Sequence, residues 1–305
     1  MSSVAVSASS RPDPTSLPAW IRTRPPHGAK YLDLRSTLER LELGTVCREA
    51  RCPNLAECWS AGTATIMLLG TECTRRCGFC AVHTHWPKGW VDRTEPVRVA
   101  AAIVASGLRY VVLTQVCRDD LPDGGAGHLV ETVERIHAGA PATRIELLIG
   151  DLAGSADAIG AVAAAPIQVL AHNLETVRSC SPRLRDPRAS YDRSLEVLRR
   201  SKELGPSGLV TKSSIMLGVG ERDDEVRAAM RELRGADVDL LTFGQYLRPS
   251  AKHLPVERYV SLEEFERWRA EGLALGFAGV ESGPLVRSSY HADELFERAF
   301  ITRSR

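Results

Sequence analysis

The sequence lacks three features that would place it in common functional classes. No apolar run approaches the roughly 20 residues that cross a bilayer, and the apolar stretch 158–172 is interrupted by Pro166. Lys and Arg total 39 against 38 Asp and Glu, so the net charge is only +1. A chain without a basic field does not attract nucleic acid. We therefore expect neither a membrane span nor a nucleic-acid partner.

The third missing feature is the apolar core of a secretory signal at the start of the chain. Residues 1–17 are rich in Ser and Pro, which predicts a disordered tail on a cytoplasmic protein. A short transit peptide is the alternative, because the stretch is poor in acidic residues. Without export a disulfide framework is not expected, so dense cysteines indicate a metal site.

Apolar runs of strand length alternate with amphipathic helical patterns from residue 64 onward. Most of these runs are rich in β-branched residues. They are 64–70, 109–116, 144–151, 167–175, 209–218 and 239–247. Six strand–helix units in succession predict an α/β fold with a parallel sheet and right-handed crossovers. We predict a partial (β/α)6 TIM-type barrel over 63–250, with extensions at 18–62 and 251–305 and the chemistry at the carboxyl ends of the strands.

Six of the eight cysteines lie in two triplets between residues 47 and 80. The second triplet, Cys73, Cys77 and Cys80, follows the first predicted strand with the spacing C-x3-C-x2-C. Zinc sites commonly take four ligands, whereas three thiolates on one tight loop suit a [4Fe-4S] cluster with one open iron. A zinc knuckle or buried apolar thiols are the alternatives. The loop resembles the radical S-adenosylmethionine (SAM) superfamily, in which such a cluster cleaves SAM to a radical that abstracts hydrogen from an unactivated carbon.

The first triplet, Cys47, Cys52 and Cys58, precedes the predicted barrel and implies a second cluster that is again one ligand short. The spare cysteines Cys117 and Cys180 are candidate fourth ligands. Taken with this triplet, an ordered set of segments resembles the lipoyl synthase family from about residue 18 to 292. The segments are VCREARCPNLAECW, GTECTRRCGFCAV, RDDLPDGGA, HNLETV, KSSIMLGVGE, FGQYLRPSAKHLPV and VRSSY.

This resemblance implies an enzyme that inserts two sulfur atoms, at C6 and C8 of an octanoyl chain on a lysine of a lipoyl carrier domain. It implies two [4Fe-4S] clusters and SAM as cofactors, with the first triplet holding an auxiliary cluster that donates sulfide. Ser288 of RSSY would be the fourth ligand of that cluster, with Ser289 the less favoured choice. The catalytic residues would then be Cys73, Cys77, Cys80 and Ser288.

The implied partners are a carrier, an electron donor and a protein that repairs the cluster. The carrier is the lipoyl domain of a 2-oxoacid dehydrogenase E2 or the glycine cleavage H protein, and the donor is a protein such as flavodoxin or ferredoxin. The resemblance also implies SAM contacts at strand ends, with the backbone of 213–221 on the adenine. The predicted cofactor-binding residues are Thr114, Asn173, Glu175, Lys212, Gly218, Gln245 and Arg248.

Some residues depart from the family pattern or have no assigned role. Cys117 stands where the family usually has a short acidic or small residue, and Trp86 lies in a stretch where small or basic residues are common. Arg118 and Asp119 are candidates for ordering the active-site loop, whereas His83 and His85 receive no role. The alternative functions are another radical SAM sulfur-inserting enzyme, similar to biotin synthase or a methylthiotransferase, and a non-catalytic iron–sulfur protein.

Overall fold

The computed structural model describes residues 18–21, 29–49, 52–60 and 65–303, so the predicted tail 1–17 lies outside the described residues. The strands are β1 (Thr65–Leu68), β2 (Glu72–Cys73), β3 (His83–Thr84), β4 (Tyr110–Gln115), β5 (Arg144–Leu148), β6 (Val169–Ala171), β7 (Val210–Leu217), β8 (Leu240–Gln245) and β9 (Gly279–Gly283). The helices are α1 (Ala29–Arg40), α2 (Val46–Glu49), α3 (Leu55–Ser60), α4 (Glu95–Ser106), α5 (Ala126–Gly139), α6 (Ala156–Ala163), α7 (Ser181–Leu184), α8 (Tyr191–Leu204), α9 (Asp223–Gly235), α10 (Leu262–Ala274) and α11 (Ala292–Arg303).

The main sheet has seven parallel strands in the order β1-β4-β5-β6-β7-β8-β9. Each strand pairs with the next strand of this series, and a helix lies on the crossover between them. The strands are almost entirely buried, as in a parallel sheet that is covered on both faces. The α/β class and all six predicted strands are confirmed.

A seventh strand, β9, lies inside the predicted C-terminal extension and pairs with β8. The sequence prediction missed it because two of its five residues are glycine, which disfavours strand formation. Packing explains why residue 279 is a glycine. A Cβ at this position would lie 2.8 Å from Leu295 Cδ1 and 3.0 Å from Leu240 Cδ2. The close approach of α11 therefore requires glycine at position 279, and this glycine weakens the strand signal in the sequence.

The helices cover the sheet with their apolar faces. In α9 the buried residues Val226, Ala229, Met230 and Leu233 follow helical spacing, while the first turn is acidic. Serine side chains cap several of these helices: Ser190 accepts from the amide of Arg193 at the start of α8. The resulting core is continuous from the sheet to the helix layer.

The N-terminal segment covers the outer edge of β1. Thr45 forms an antiparallel bridge with Ile66, and the carbonyl of Gly44 accepts from the amide of Met67 at 2.9 Å. The hydroxyl of Thr65 also donates to Ser289 Oγ at 2.8 Å, which ties this edge to the segment after β9. The first cysteine triplet and the RSSY segment therefore meet at the same side of the sheet.

No helix among the described residues is long and apolar enough to cross a membrane. That agrees with the absence of a long apolar run in the sequence.

Candidate active site

A cavity of about 500 Å³ lies at the carboxyl ends of the strands. Most of the predicted site residues line it, and they come from both ends of the chain. These are Cys47, Cys52, Cys73, Cys77, Cys80, Thr114, Asn173, Glu175, Gln245, Arg248 and Ser288. Cys58, Lys212 and Gly218 are not among the lining residues.

The loop that carries Cys73, Cys77 and Cys80 is held by backbone hydrogen bonds on two sides. Gly78 donates its amide to the carbonyl of Leu184 at 2.7 Å and accepts from the amide of Leu254 at 3.1 Å. A Cβ at Gly78 would lie 2.9 Å from Leu254 Cδ1, so a larger residue would push these segments apart. The loop conformation is therefore set by contacts with two distant parts of the chain.

The RDDL segment orders the same loop through Arg75. The guanidinium of Arg75 donates to both carboxylates beside it, at 2.7 Å to Asp119 Oδ1 and 2.7 Å to Asp151 Oδ1. The Arg75 side chain is only 5% exposed. The Asp119 carboxylate also accepts from the hydroxyl of Thr74 at 2.7 Å. This supports the prediction that Asp119 orders the loop; Arg75 and Asp151 were not predicted.

Arg75→Leu is expected to lower the free energy of unfolding by about 3–5 kcal/mol, because Asp119 and Asp151 would lose their buried partner and keep only the more exposed Arg188, at 3.2 Å from Asp119, and Arg193, at 3.5 Å from Asp151. Arg75→Lys should lose less, since it keeps the charge but not the planar fork. Denaturant unfolding of anaerobically purified protein measures both. Arg199→Leu is the matched control, because Arg199 forms only exposed ion pairs on α8 and should change stability by less than about 1 kcal/mol. Equal losses for Arg75→Leu and Arg199→Leu would contradict the assignment.

The thiols of the second triplet differ in environment. Burial raises the pKa of Cys80 to about 12, whereas a hydrogen bond with the Cys117 thiol lowers the pKa of Cys73 to about 6. Cys117 therefore lies beside Cys73 rather than with the first triplet. Cys180 is buried in the apolar core. Neither spare cysteine is placed as a fourth ligand of the first triplet.

The first triplet is tied to the RSSY segment across most of the chain. Asn54 Nδ2 donates to the carbonyl of Leu285 at 2.5 Å, although the two residues are 231 positions apart. The hydroxyl of Tyr290 donates to Glu57 Oε1 at 3.0 Å. Ser288 lies within this anchored segment and lines the same cavity as Cys47 and Cys52.

Cys58 does not line the cavity but belongs to the same group of thiols. Burial raises its pKa to about 12, and the charges of Cys52 and Cys47 add to the effect. Its amide donates to the carbonyl of Asn54 at 2.9 Å, within the turn that leads from Cys52 into α3. Cys52 donates its amide to the carbonyl of Cys47 at 3.0 Å, and all three cysteines pack in one core cluster, so they lie together.

The HNLETV segment places two of its predicted side chains at the cavity. Asn173 Oδ1 is buried without a hydrogen-bond partner among the described residues. Burial raises the pKa of the nearby Glu175 carboxyl. Glu175 has φ +71°, a strained conformation for a residue with a side chain. A buried acceptor without a donor is costly, so this pair is suited to a polar ligand.

One predicted cofactor contact, Lys212, needs correction. Lys212 is on the amino-terminal half of β7 with its side chain 1% exposed, where Nζ lies 2.9 Å from Glu146 Oε1. It forms a buried ion pair instead of facing the cavity. Gly218 does not line the cavity, and its backbone is engaged locally: its amide donates to Glu221 Oε1 at 2.8 Å and its carbonyl accepts from the amide of Glu257 at 2.9 Å. Its contact with the adenine stays a prediction.

Two further predicted cofactor contacts, Gln245 and Arg248, lie in the cavity wall and have local partners. Gln245 donates Nε2 to the carbonyl of Arg258 and accepts from the amide of Val260. Its amide is thus occupied in holding the loop after β8. Arg248 donates to the carbonyls of Ala251 and His253 in its own loop. Of the two, Gln245 is better described as a positioning residue.

Lys212→Met should destabilise the fold by about 3–5 kcal/mol, because it leaves Glu146 buried and unpaired. The double variant Lys212→Met/Glu146→Gln removes that charge and should recover most of the stability, with SAM affinity unchanged. Thermal unfolding and equilibrium binding of SAM measure the two effects. A stable double variant that no longer bound SAM would restore the original assignment of Lys212.

The donor set fits iron–sulfur clusters. Each triplet offers three thiols, and thiolates are the soft ligands that iron–sulfur clusters take. Among the described residues, no group of three or more His, Cys, Asp or Glu is arranged to hold a single metal ion. A cubane spreads its ligands around four irons, so its thiolates stand farther apart than the ligands of one ion.

Comparison with known proteins gives the same assignment. The family model of the radical SAM superfamily matches residues 67–233, and that of the N-terminal domain of lipoyl synthase matches residues 6–52. The chain is 53% identical to the lipoyl synthase of Thermus thermophilus, over 96% of this chain and 91% of that protein. It is 52% identical to the lipoyl synthase of Halorhodospira halophila, over 92% and 84%. It is 49% identical to the mitochondrial lipoyl synthase of Zea mays, over 99% and 80%.

Solved structures with low sequence identity share the fold. Methylornithine synthase (PylB) is similar with a TM-score of 0.54 at 19% identity, over 82% of this chain and 74% of that chain. The hydrogenase maturase HydG from Carboxydothermus hydrogenoformans is similar with a TM-score of 0.55 at 16% identity, over 77% and 56%. The fold, the thiols around one cavity and the full-length relatives agree. The chain belongs to the lipoyl synthase family and is a radical SAM sulfur-inserting enzyme.

Proposed function

We propose that this enzyme holds two [4Fe-4S] clusters and SAM and converts a protein-bound octanoyl-lysine into a lipoyl group. Cys73, Cys77 and Cys80 hold the radical-generating cluster, and Cys47, Cys52, Cys58 and Ser288 hold the auxiliary cluster. When bound, the radical-generating cluster and SAM supply the radical that removes hydrogen from an aliphatic carbon, and the auxiliary cluster supplies the sulfur. No side-chain acid or base can do this, because such carbons have no acidic proton.

One observation carries this proposal: a single cavity is lined by all three thiols of the second triplet, by two thiols of the first triplet and by Ser288 from the other end of the chain. A radical enzyme that inserts sulfur needs its radical source and its sulfur source within reach of one substrate carbon. The Asn54–Leu285 and Tyr290–Glu57 hydrogen bonds keep the serine segment beside the first triplet. The arrangement agrees with separate tasks for the two triplets.

The chain's own residues bind and orient the ligands. Asn173 offers a buried, unpartnered Oδ1 to a donor on SAM, and Glu175 lines the same wall. Thr114, the penultimate residue of β4, lines the cavity, and Arg248 lines it as a further candidate contact. Apolar lining residues such as Met67 and Val116 exclude water from the octanoyl chain.

The proposal includes partners and a location. The substrate is carried by an E2 lipoyl domain or the glycine cleavage H protein, an electron comes from a protein such as flavodoxin or ferredoxin, and a carrier restores the auxiliary cluster. The many free thiols suit a reducing compartment, and we place the enzyme in the cytoplasm. Fractionation of cells that produce the protein tests this location, since the Zea mays relative is named as mitochondrial.

The test is an anaerobic assay with reconstituted enzyme, SAM, dithionite and an octanoylated carrier peptide, read by mass spectrometry. Conversion of the peptide to its lipoyl form is expected. Iron and sulfide analysis of the same sample should give two clusters per chain. Formation of deoxyadenosine without any thiolated peptide would reject the proposed substrate, and a zinc-loaded protein without iron would reject the clusters.

A further inference from the structure

The loop that follows the Cys73–Cys80 loop exposes two tryptophans. Trp86 is 47% exposed and Trp90 is 69% exposed. Neither belongs to an apolar core cluster of the described residues. Single exposed apolar side chains are common on protein surfaces, but two exposed indoles only four residues apart on one loop are unusual, and folding does not require them.

The backbone under these indoles is firmly anchored. Arg118 and Asp120 form a buried bidentate ion pair, with side chains 1% and 2% exposed. Asp120 accepts from the amide of Gly89 at 2.7 Å, and Arg118 donates to the carbonyl of Trp90 at 2.7 Å. The RDDL segment therefore holds this loop as well as the cysteine loop. Exposed rings on a fixed backbone lose little entropy on binding, which favours recognition.

The loop is continuous with the mouth of the cavity. Cys80, Ala81 and Val82 line the cavity immediately before the loop begins. The guanidinium of Arg188 lies 6.0 Å from the ring centroid of Trp86 and donates to the carbonyl of Thr74 at 2.6 Å. Trp86 is thereby connected to the loop that carries the second cysteine triplet.

The charge of this surface is positive. Lys88 and Arg93 are exposed, and neither makes an ion pair with another residue in the described part of the chain. The acidic neighbour Asp92 is neutralised by Arg98, at 2.5 Å between Oδ2 and Nη2. Glu72 lies at the far end of the loop, 3.5 Å from His83, which balances its charge only when protonated, and the two cations Lys88 and Arg93 still outnumber it. We define Trp86, Lys88, Trp90 and Arg93 as the indole rim.

We propose that the indole rim docks the folded carrier domain, on an acidic surface beside its octanoyl-lysine. This rests on the proposed function. The octanoyl chain is tethered to a protein by an arm of fixed length, so the carrier must sit at the rim when the chain reaches the cavity. Exposed tryptophans are the residue type most enriched in binding hot spots, and the two cations select a negative partner. The rim thus recognises the carrier's surface, while the cavity recognises the chain.

The test compares two substrates of one chemistry: octanoylated H protein and a short octanoyl-lysine peptide with the same flanking residues. Trp86→Ala/Trp90→Ala should raise Kd and KM for the H protein by about tenfold or more, and leave both values for the peptide unchanged. Lys88→Glu/Arg93→Glu should also raise the Kd for the H protein, and the increase should be larger at low salt than at high salt. Leu262→Ala is the matched control, because Leu262 is 50% exposed at the start of α10, and it should leave both substrates unaffected.

Unchanged H-protein affinity in the double Trp variant would overturn the docking proposal. Equal losses for H protein and peptide would also overturn it, since the loop would then act on the cavity. Binding is measured without SAM, so that no turnover occurs and the Kd does not depend on the reaction. If the parent enzyme bound the H protein but converted neither substrate, the proposed function would be rejected. The Kd values of the variants for the H protein would still test the docking proposal.

Discussion

Replacing Cys73, Cys77 and Cys80 with alanine is expected to abolish SAM cleavage and to leave roughly half of the iron. Only this triplet lies on the loop at the carboxyl end of β1, beside Asn173 and Glu175 in the same cavity. Without its three thiols, no site remains there for a cluster that could reduce SAM. Deoxyadenosine formation and iron content, measured anaerobically, give the result.

The complementary variant separates the two tasks. Replacing Cys47, Cys52 and Cys58 with alanine should preserve deoxyadenosine formation but stop the appearance of thiolated peptide. This triplet is anchored to RSSY rather than to the Cys73–Cys80 loop. If these replacements alone eliminated SAM cleavage in well-folded protein, the proposed division of labour would be wrong.

Substitution of Ser288 should block product formation without blocking SAM cleavage. The auxiliary cluster must lose an iron if it gives up sulfide, and a serine oxygen binds iron less strongly than a thiolate does. Ser288→Cys should therefore keep a full cluster that resists breakdown. Ser288→Ala leaves one corner without a protein ligand, although three thiolates still hold the cluster. Both variants should make lipoyl peptide far more slowly than the parent.

Single-turnover reactions distinguish these outcomes by measuring deoxyadenosine, singly thiolated peptide and lipoyl peptide in parallel. Ser289→Ala is the matched control, because Ser289 Oγ already accepts from Thr65 and lies next to Ser288. It should retain product formation. Parent-level yields of lipoyl peptide from both Ser288 variants would show that a labile ligand has no part in sulfur donation.

The sequence predicted the barrel because parallel strands that are buried on both faces appear as apolar runs. All six such runs became strands. The seventh strand could not be found in this way, because Gly279 and Gly283 remove the apolar signal. Its place is set by α11 packing closely over Gly279, a tertiary contact that no local pattern reveals.

The sequence predicted those parts of the site whose residues follow a characteristic spacing along the chain. The cysteine triplets have such spacing, and so does HNLETV. Single charged residues have no such spacing: Lys212 was predicted as a cofactor contact, yet it is buried against Glu146. The Arg75 clamp was missed because its two aspartates, Asp119 and Asp151, come from different strand ends. Only the fold brings them together.

The most direct test of a protein-bound cluster as the sulfur source uses enzyme whose clusters were built with heavy-isotope sulfide. A single turnover with unlabelled SAM and octanoylated peptide should give a lipoyl product in which both sulfur atoms carry the label. The Ser288→Cys variant should retain that label in the protein. A lipoyl product made with unlabelled sulfur, while the clusters kept their label, would contradict the assignment of the Cys47, Cys52 and Cys58 site as the sulfur source.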